Sequence, residues 1–359
     1  MCELRACLIA RNSRQFDASP SKGARTREVC PLAMVDKCDA RVLSAVPFTR
    51  EFGKVYADLR DDPKGPFHSS QYYLTAGDLR NYGYEVRLHM NCKYGKGDNK
   101  IELLDAGYHS FAFLVNEVQR IFEIDPLQLE LIRVDVAADV PDVPVTWFLA
   151  NARVKGKRFH LAGTGNFEYQ QLGQKGIETI YHGKRPNCDR IYNKIAEYEH
   201  QYRRFKRRAS RDAEIPSFET LYGMSQNAIL TRVERQIGGG KVAEQMKVSP
   251  GISIRTVGDL MKHGRDFNPY SNLELLPRAR ALQPAYFGDI NQYMAVMFAR
   301  ERLEDWGLQP FFQWLNVETN RNARRWLNKY GQWLSDSPGV TVAEIYERYR
   351  NSISKQLAA

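Results

Sequence analysis

One stretch constrains the fold more than any other. Leu131-Ile-Arg-Val-Asp-Val-Ala-Ala-Asp139 alternates apolar with polar or charged side chains. Successive side chains of a strand point to opposite faces, so Ile132, Val134, Val136 and Ala138 turn one way, and Arg133, Asp135 and Asp139 the other. Such a strand belongs to a sheet with one apolar face and one face that carries carboxylates. For this strand alone, a solvated outer face accounts for the pattern. Other segments repeat the design, and one of them adds a tyrosine.

At 359 residues the chain can bury a sizeable core, enough for two domains or one large domain with an appendage. Its 52 Lys and Arg exceed its 42 Asp and Glu, a net charge of +10 that favours an anionic partner, either nucleic acid or a membrane surface. No apolar run approaches the ~20 residues needed to span a bilayer, and no secretory apolar segment is present. Six cysteines without a CxxC pair indicate neither zinc nor a disulfide framework. A soluble, cytoplasmic protein of a reducing compartment is expected, with no membrane partner.

Residues 1–33 differ from the rest: they hold Arg5, Arg11, Arg14, Lys22, Arg25 and Arg27, few large apolar side chains and no sustained period. Disorder is expected there, or an over-long start with Met34 as an alternative initiator; an organelle presequence is the rival reading. Residues 34–245 read mainly as strands. Tyr84–Asn91 and Lys100–Leu104 flank a glycine-rich turn as one hairpin, and Glu178–His182 and Asp189–Lys194 flank Pro186 and Asn187 as a second. Ile229–Ile237 is a further strand, closed by three glycines, while Ser110–Phe122 and Trp147–Arg153 have helical spacing. Residues 246–359 read as helices over Asp289–Glu304 and Glu318–Leu334, and a last helix opens at Thr341 with a capping box to Glu344. The expected class is α+β: a central, mainly antiparallel sheet with helices on one face, followed by a helical C-terminal region.

The polar faces of these strands bring together Asp135, Asp139, Arg232, Glu234, Gln236 and Glu102, with His89 and Glu85 nearby. In the second hairpin Arg190, Tyr192 and Lys194 share a face. Converging carboxylates repel unless a cation lies among them, and hard oxygen donors suit Mg²⁺ or Mn²⁺. A tyrosine beside such an ion is a candidate nucleophile for a phosphoryl group, with Lys and Arg to offset the charge that develops. Taken singly, each residue has a plainer role: Tyr192 as a packing residue, Glu234 and Arg232 as a solvated pair, His89 as a surface histidine.

Three segments in order resemble the rolling-circle replication initiators of plasmids and filamentous phages. Leu131–Asp139 is similar to that family's "RIDLAxD" strand. Glu178-Thr-Ile-Tyr-His-Gly-Lys-Arg185, followed by Arg190-Ile-Tyr-Asn-Lys-Ile-Ala-Glu197, is similar to its "TxYxGxR…RIYxKxxE" pattern. Thr231-Arg-Val-Glu-Arg-Gln236 is similar to its "RxE" strand. The resemblance implies a metal-dependent endonuclease that nicks one strand of origin DNA and keeps the 5′ phosphate on a tyrosine. By the same carry-over Tyr192 is the nucleophile and Asp135 and Glu234 are metal carboxylates, with Glu102 as a third. Lys194 and Arg185 would hold the scissile phosphate. The family's wider group uses a His-hydrophobic-His pair that this chain lacks, which favours a carboxylate-bound Mg²⁺ or Mn²⁺. Tyr198 and Tyr202, four residues apart, stay open as rival nucleophiles. A helicase and a host polymerase are partners implied by the resemblance, and a homodimer is left open.

Two basic segments are candidates for DNA contact. Arg203, Arg204, Lys206, Arg207, Arg208 and Arg211 follow the second hairpin, and Arg190 lies within it. Arg321, Arg324 and Arg325 lie on the stretch that carries Trp326, which reads equally as a groove-binding helix or as a packed helix with solvated arginines. Two alternatives to a nicking enzyme stay open: a non-catalytic DNA-binding regulator, and a related tyrosine transposase or relaxase.

Overall fold

The computed structural model of the chain describes residues 35–42, 57–60, 68–74, 86–92, 100–104, 111–122, 124–157, 159–161, 179–199, 218–225, 228–276, 282–335 and 339–358. The expectations for residues 1–33, for Glu85, for Tyr202 and for the basic run from Arg203 to Arg211, with Arg204, Lys206, Arg207 and Arg208, lie outside the described residues. The described residues fall within one compact unit, Pro31–Ala359.

The first eleven strands are β1 (Val35–Val42), β2 (Ala57–Arg60), β3 (His68–Leu74), β4 (Val86–Cys92), β5 (Lys100–Leu104), β6 (Leu129–Pro141), β7 (Ala152–Val154), β8 (Phe159–Leu161), β9 (Thr179–Lys184), β10 (Asn187–Asn193) and β11 (Leu230–Gly238). All but β7 form one sheet in the order β2-β3-β4-β5-β1-β6-β11-β10-β9-β8. Every neighbouring pair in it is antiparallel. Two meanders, β2–β5 and β8–β11, are thus joined through β1 and β6 at the centre. The helices among the described residues include α1 (Phe111–Phe122), α2 (Val145–Asn151), α3 (Phe218–Tyr222), α4 (Val242–Gln245), α5 (Val257–His263), α6 (Ile290–Trp306), α7 (Leu308–Glu318), α8 (Ala323–Tyr330) and α9 (Val342–Leu357), and a further helical stretch covers 194–199. The α+β class with a mainly antiparallel sheet holds, and so does the helical C-terminal region.

The strand 131–139 extends to 129–141, but its alternation has a break. Asp39 pairs with Arg133 and Ala40 with Leu131, so Ile132 is an extra residue in a bulge. The bulge moves the apolar set from even to odd positions. Leu129 and Leu131 join Val134, Val136, Ala138 and Val140 in the core, and Ile132, expected to face inward, lies outside that cluster.

The core fills the apolar face. Cys38 and Ala40 of β1, Ile101 and Leu103 of β5, and Val233 and Ile237 of β11 meet Phe111, Leu114 and Val118 of α1 there, together with Trp147 and Phe148 of α2. Ile345, Tyr349 and Ile353 of α9 join the same core, and α9 runs against β6. The division expected near residue 245 does not coincide with a break in this packing. Two buried phenols tie the helical region down: Tyr270 donates to the Val233 carbonyl at 3.0 Å, and Tyr349 to the Gly264 carbonyl at 2.9 Å. Burial, first of all, pushes both phenols above their ordinary range, so they serve as neutral donors.

The stretch Glu318–Leu334, expected as one helix, is broken. Asn320 and Arg321 adopt positive φ of 49° and 64°, which ends α7 and lets α8 restart at Ala323. The last helix opens as expected: Thr341 accepts from the Glu344 amide at 3.2 Å, and Glu344 accepts from the Thr341 amide at 2.7 Å.

At the far end of the core face, His182 on β9 lies opposite Asp189 on β10 and is 2% exposed. Burial lowers its pKa from 6.5 to about 4, against the pull of Asp189 and with help from Arg324 and Lys157. The fold therefore holds a neutral imidazole, and the unfolded chain binds the extra proton between these values. Stability from this group is complete above pH 6.5 and is lost as pH falls through about 4, a difference of about 3 kcal/mol. Urea titrations across that range are expected to show a flatter acid limb for His182→Gln than for the wild type. Parallel limbs would contradict this account.

Candidate active site

The second face of the sheet carries the charges, yet it is not a solvated surface. Asp135 is 1% exposed, and Glu234 and Arg232 are 0%. Every residue of β11 from Leu230 to Gly238 is buried, so both faces of this strand are covered. Charges at such depth must be matched by partners at contact distance.

Register determines which groups meet. On β11, Arg232 lies opposite Asp139, Glu234 opposite Ala137, and Gln236 opposite Asp135 of β6. On the other side, β10 sets Arg190 opposite Glu234 and Tyr192 opposite Arg232. Asp135 and Glu234 are therefore diagonal neighbours on adjacent strands, with Cβ atoms about 7 Å apart.

Tyr192 is buried on this face rather than in the apolar core, and its hydroxyl donates to Glu234 Oε2 at 3.0 Å. Glu234 Oε1 accepts from Arg190 Nε at 2.8 Å and from its Nη2. The Arg190 guanidinium also stands 5.6 Å from the Tyr192 ring centre. Asp135 accepts a two-pronged contact from Arg133, Nε at 2.9 Å and Nη2 at 2.5 Å, and a third bond from Gln236 Nε2 at 3.1 Å. Gln236 Oε1 in turn meets Cys188 Sγ at 3.6 Å. A continuous polar row thus runs from Arg133 through Asp135 and Gln236 to Cys188, beside a second cluster of Arg190, Glu234 and Tyr192.

Next to Tyr192 the row continues. Arg232 makes a forked pair with Asp139, Nε to Oδ1 at 2.7 Å and Nη2 to Oδ2 at 2.8 Å. Lys194 donates to Glu197 at 2.8 Å. Burial, and Arg232 beside it, disfavour the Lys194 ammonium, but Glu197, Tyr222 and Tyr192 outweigh them and hold its pKa well above the ordinary value. Lys194 is therefore a permanent cation two residues beyond Tyr192. Asn193 ends β10 and starts the helix at 194–199, its Oδ1 accepting from the amides of Ile195 at 3.0 Å and Ala196 at 3.1 Å.

Other expected site residues are placed elsewhere. Glu102 pairs with Asp39 of β1, whose partner on β6 is Arg133. Two strand spacings separate it from Asp135, on the order of 10 Å, too far for a shared cation. Glu102 accepts instead from Lys100 at 2.6 Å. Arg185 is exposed in the turn between β9 and β10, where its charge acts on the Cys188 thiol. Tyr198 packs its ring edge-on to Phe218 and Tyr222, 5.5 and 5.8 Å between centres, in a small apolar cluster with Ile195 and Leu230. Arg324 donates to the carbonyls of Leu149 and Ala152, both at 3.0 Å, and so clamps α8 to the end of α2. Burial lowers its pKa to about 10. Arg321 lies in the break before α8, and Arg325 is exposed on it.

Asp39 and Lys100 belong to the polar face but were not singled out from sequence. Lys100 bridges Asp39 at 3.2 Å and Glu102 at 2.6 Å. The alternation Lys37, Asp39, Arg41 against Cys38, Ala40, Val42 is the period-two signal that would have found this strand.

Among the described residues no group of three or more His, Cys, Asp and Glu is arranged to hold a metal ion. Of the three acids expected to hold a metal, Asp135 and Glu234 are the two on adjacent strands, and a hydrated Mg²⁺ or Mn²⁺ binds through one or two carboxylates with water and phosphate completing the shell. The guanidiniums of Arg133 and Arg190 stand where the positive charge of such an ion would act. Compared with known proteins, the chain matches no family model, and no curated protein matches its sequence. Among the described residues no helix is long and apolar enough to cross a membrane.

Removing one member of a buried ion pair leaves the other uncompensated, at a cost of about 3–5 kcal/mol. Asp139→Ala, which strands the Arg232 guanidinium, is expected to lower unfolding stability by that amount in chemical denaturation. Glu347→Ala, at the exposed Glu347–Arg350 pair, is expected to leave the denaturation midpoint close to that of the wild type.

Proposed function

We propose that this chain nicks one strand of DNA by transesterification through Tyr192, in the manner that initiates rolling-circle replication. The observation that carries the proposal is the 3.0 Å contact from the Tyr192 hydroxyl to Glu234, on the face where Asp135 is the diagonal neighbour. In the attack the phenol oxygen bonds to phosphorus, and its proton passes to Glu234. The bond from phosphorus to the 3′ oxygen breaks, and that oxygen takes a proton from water to leave a 3′ hydroxyl.

A bound Mg²⁺ or Mn²⁺ would polarise a non-bridging phosphoryl oxygen. Asp135 and Glu234 Oε1 are the atoms that would hold it. Arg190 and the buried Lys194 supply positive charge near Tyr192, where negative charge builds as phosphorus becomes five-coordinate. Origin DNA is the expected substrate, and a helicase and a polymerase that extends the 3′ end are the expected partners. A tyrosine transposase or relaxase would use the same bond-making step on different DNA.

One observation favours the second reading, a non-catalytic DNA-binding regulator. Asp135 and Glu234 are already matched by arginines, and Tyr192 is 4% exposed. The two readings separate in one experiment. The full chain is incubated with a pool of single-stranded oligonucleotides and Mn²⁺, then run on a denaturing gel. A shifted, denaturant-resistant band is expected for the wild type and none above background for Tyr192→Phe. An adduct retained by Tyr192→Phe would move the nucleophile to Tyr198 or Tyr202. The absence of any adduct would favour the regulator.

A further inference from the structure

We propose that Arg133 and Arg190 are exchangeable counter-ions: they hold Asp135 and Glu234 while no divalent cation is bound, and turn to the DNA phosphate when one binds. This rests on the nicking proposal above. It concerns what regulates that site.

Three observations lead to it. The carboxylates and their cations differ in depth. Asp135 and Glu234 side chains are 2% and 0% exposed, whereas Arg133 and Arg190 keep 29% and 19% of their side chains in contact with solvent. The acids are sealed from solvent and the arginine side chains are partly open to it, so a guanidinium can leave by rotation of its own side chain while the acid stays in place. Arg232 is the internal contrast: it is as fully buried as its partner Asp139 and has no such route.

The second observation is the form of the contacts. Arg133 sets two nitrogens on the two oxygens of Asp135, across two positions of one strand, and Arg190 sets two on the single Oε1 of Glu234, straight across a strand pair. The same fork fits two oxygens of a phosphate, so the exchange trades one charge-assisted contact for another of the same type. Thirdly, the two guanidiniums act on one another: burial disfavours the Arg133 cation, Asp135 and Asp39 outweigh it and hold its pKa above the ordinary value, and repulsion from Arg190 opposes them as the smallest of these influences. A phosphodiester between them relieves that repulsion, and a divalent cation between Asp135 and Glu234 relieves the repulsion of the acids that the arginines leave behind. Cation and DNA therefore bind cooperatively, each easing the cost of the other.

Mn²⁺ binding to the full chain, followed by loss of the free-ion electron paramagnetic resonance signal, tests this alongside oligonucleotide affinity. Arg133→Gln and Arg190→Gln remove the competitor, so each is expected to bind Mn²⁺ tighter than the wild type, on the order of tenfold. The same variants are expected to bind a single-stranded oligonucleotide more weakly, and to lose the gain in affinity that Mn²⁺ gives the wild type. Opposite signs for the two ligands are what a merely structural arginine would not produce. Arg133→Lys, which keeps the charge without the fork, covers the case in which a glutamine variant fails to fold, and is expected to fall between. Mn²⁺ binding that is unchanged or weakened in the variants overturns the exchange and leaves the nicking proposal standing. If neither the wild type nor Asp135→Asn binds Mn²⁺, the metal itself is removed from the site and both fall together.

Discussion

Antiparallel pairing of β6 with β11, unbroken from Leu230 to Gly238, is the interaction on which the rest of the molecule depends. It sets Arg232 beside Asp139 and Gln236 beside Asp135, and it offers Glu234 to the next strand. A slip of one residue would send every one of these charges into the apolar core and bring Val233 and Ile237 to the polar side. The forked Arg232–Asp139 contact makes such a slip expensive, because either ion alone at that depth is uncompensated. The pair need not add net stability to serve as a lock on register.

The polar face is therefore a set of matched charges buried between layers. Asp135 is satisfied by Arg133 and Gln236, and Glu234 by Arg190 and Tyr192. Full matching explains how so many ionised groups lie together at almost no exposure. It also means that any catalytic use of the face requires some of these contacts to open, and the partly exposed Arg133 and Arg190 are the ones placed to do so.

Much of this was legible in the chain itself. The period-two pattern of residues 131–139 and 229–237, and the turn at Pro186 and Asn187, placed the central strands and put Asp135, Glu234, Arg190 and Tyr192 on a common face. The Thr341 capping box marked the last helix, because its two bonds are local and need no tertiary partner. Long-range register was not legible. Glu102 faces the same way as Asp135, but only the insertion of β1 between their strands shows that they are two spacings apart. The bulge at Ile132 escaped for the same reason, since an extra residue is defined by its partner strand. Arg324 was read as a surface cation because sequence cannot reveal the two carbonyls left open at the end of α2, which it fills.

Asn193 marks a seam. Its side chain takes the first free amides of the following helix, so the backbone changes from pleated ribbon to coil directly beneath Lys194. Ring and ammonium are thus mounted on two different kinds of scaffold, one stiffened by neighbouring ribbons and the other by the coil that Asn193 caps. Loosening of that cap would shift the positive charge while the phenol stayed still, so the spacing between them hangs on one amide side chain.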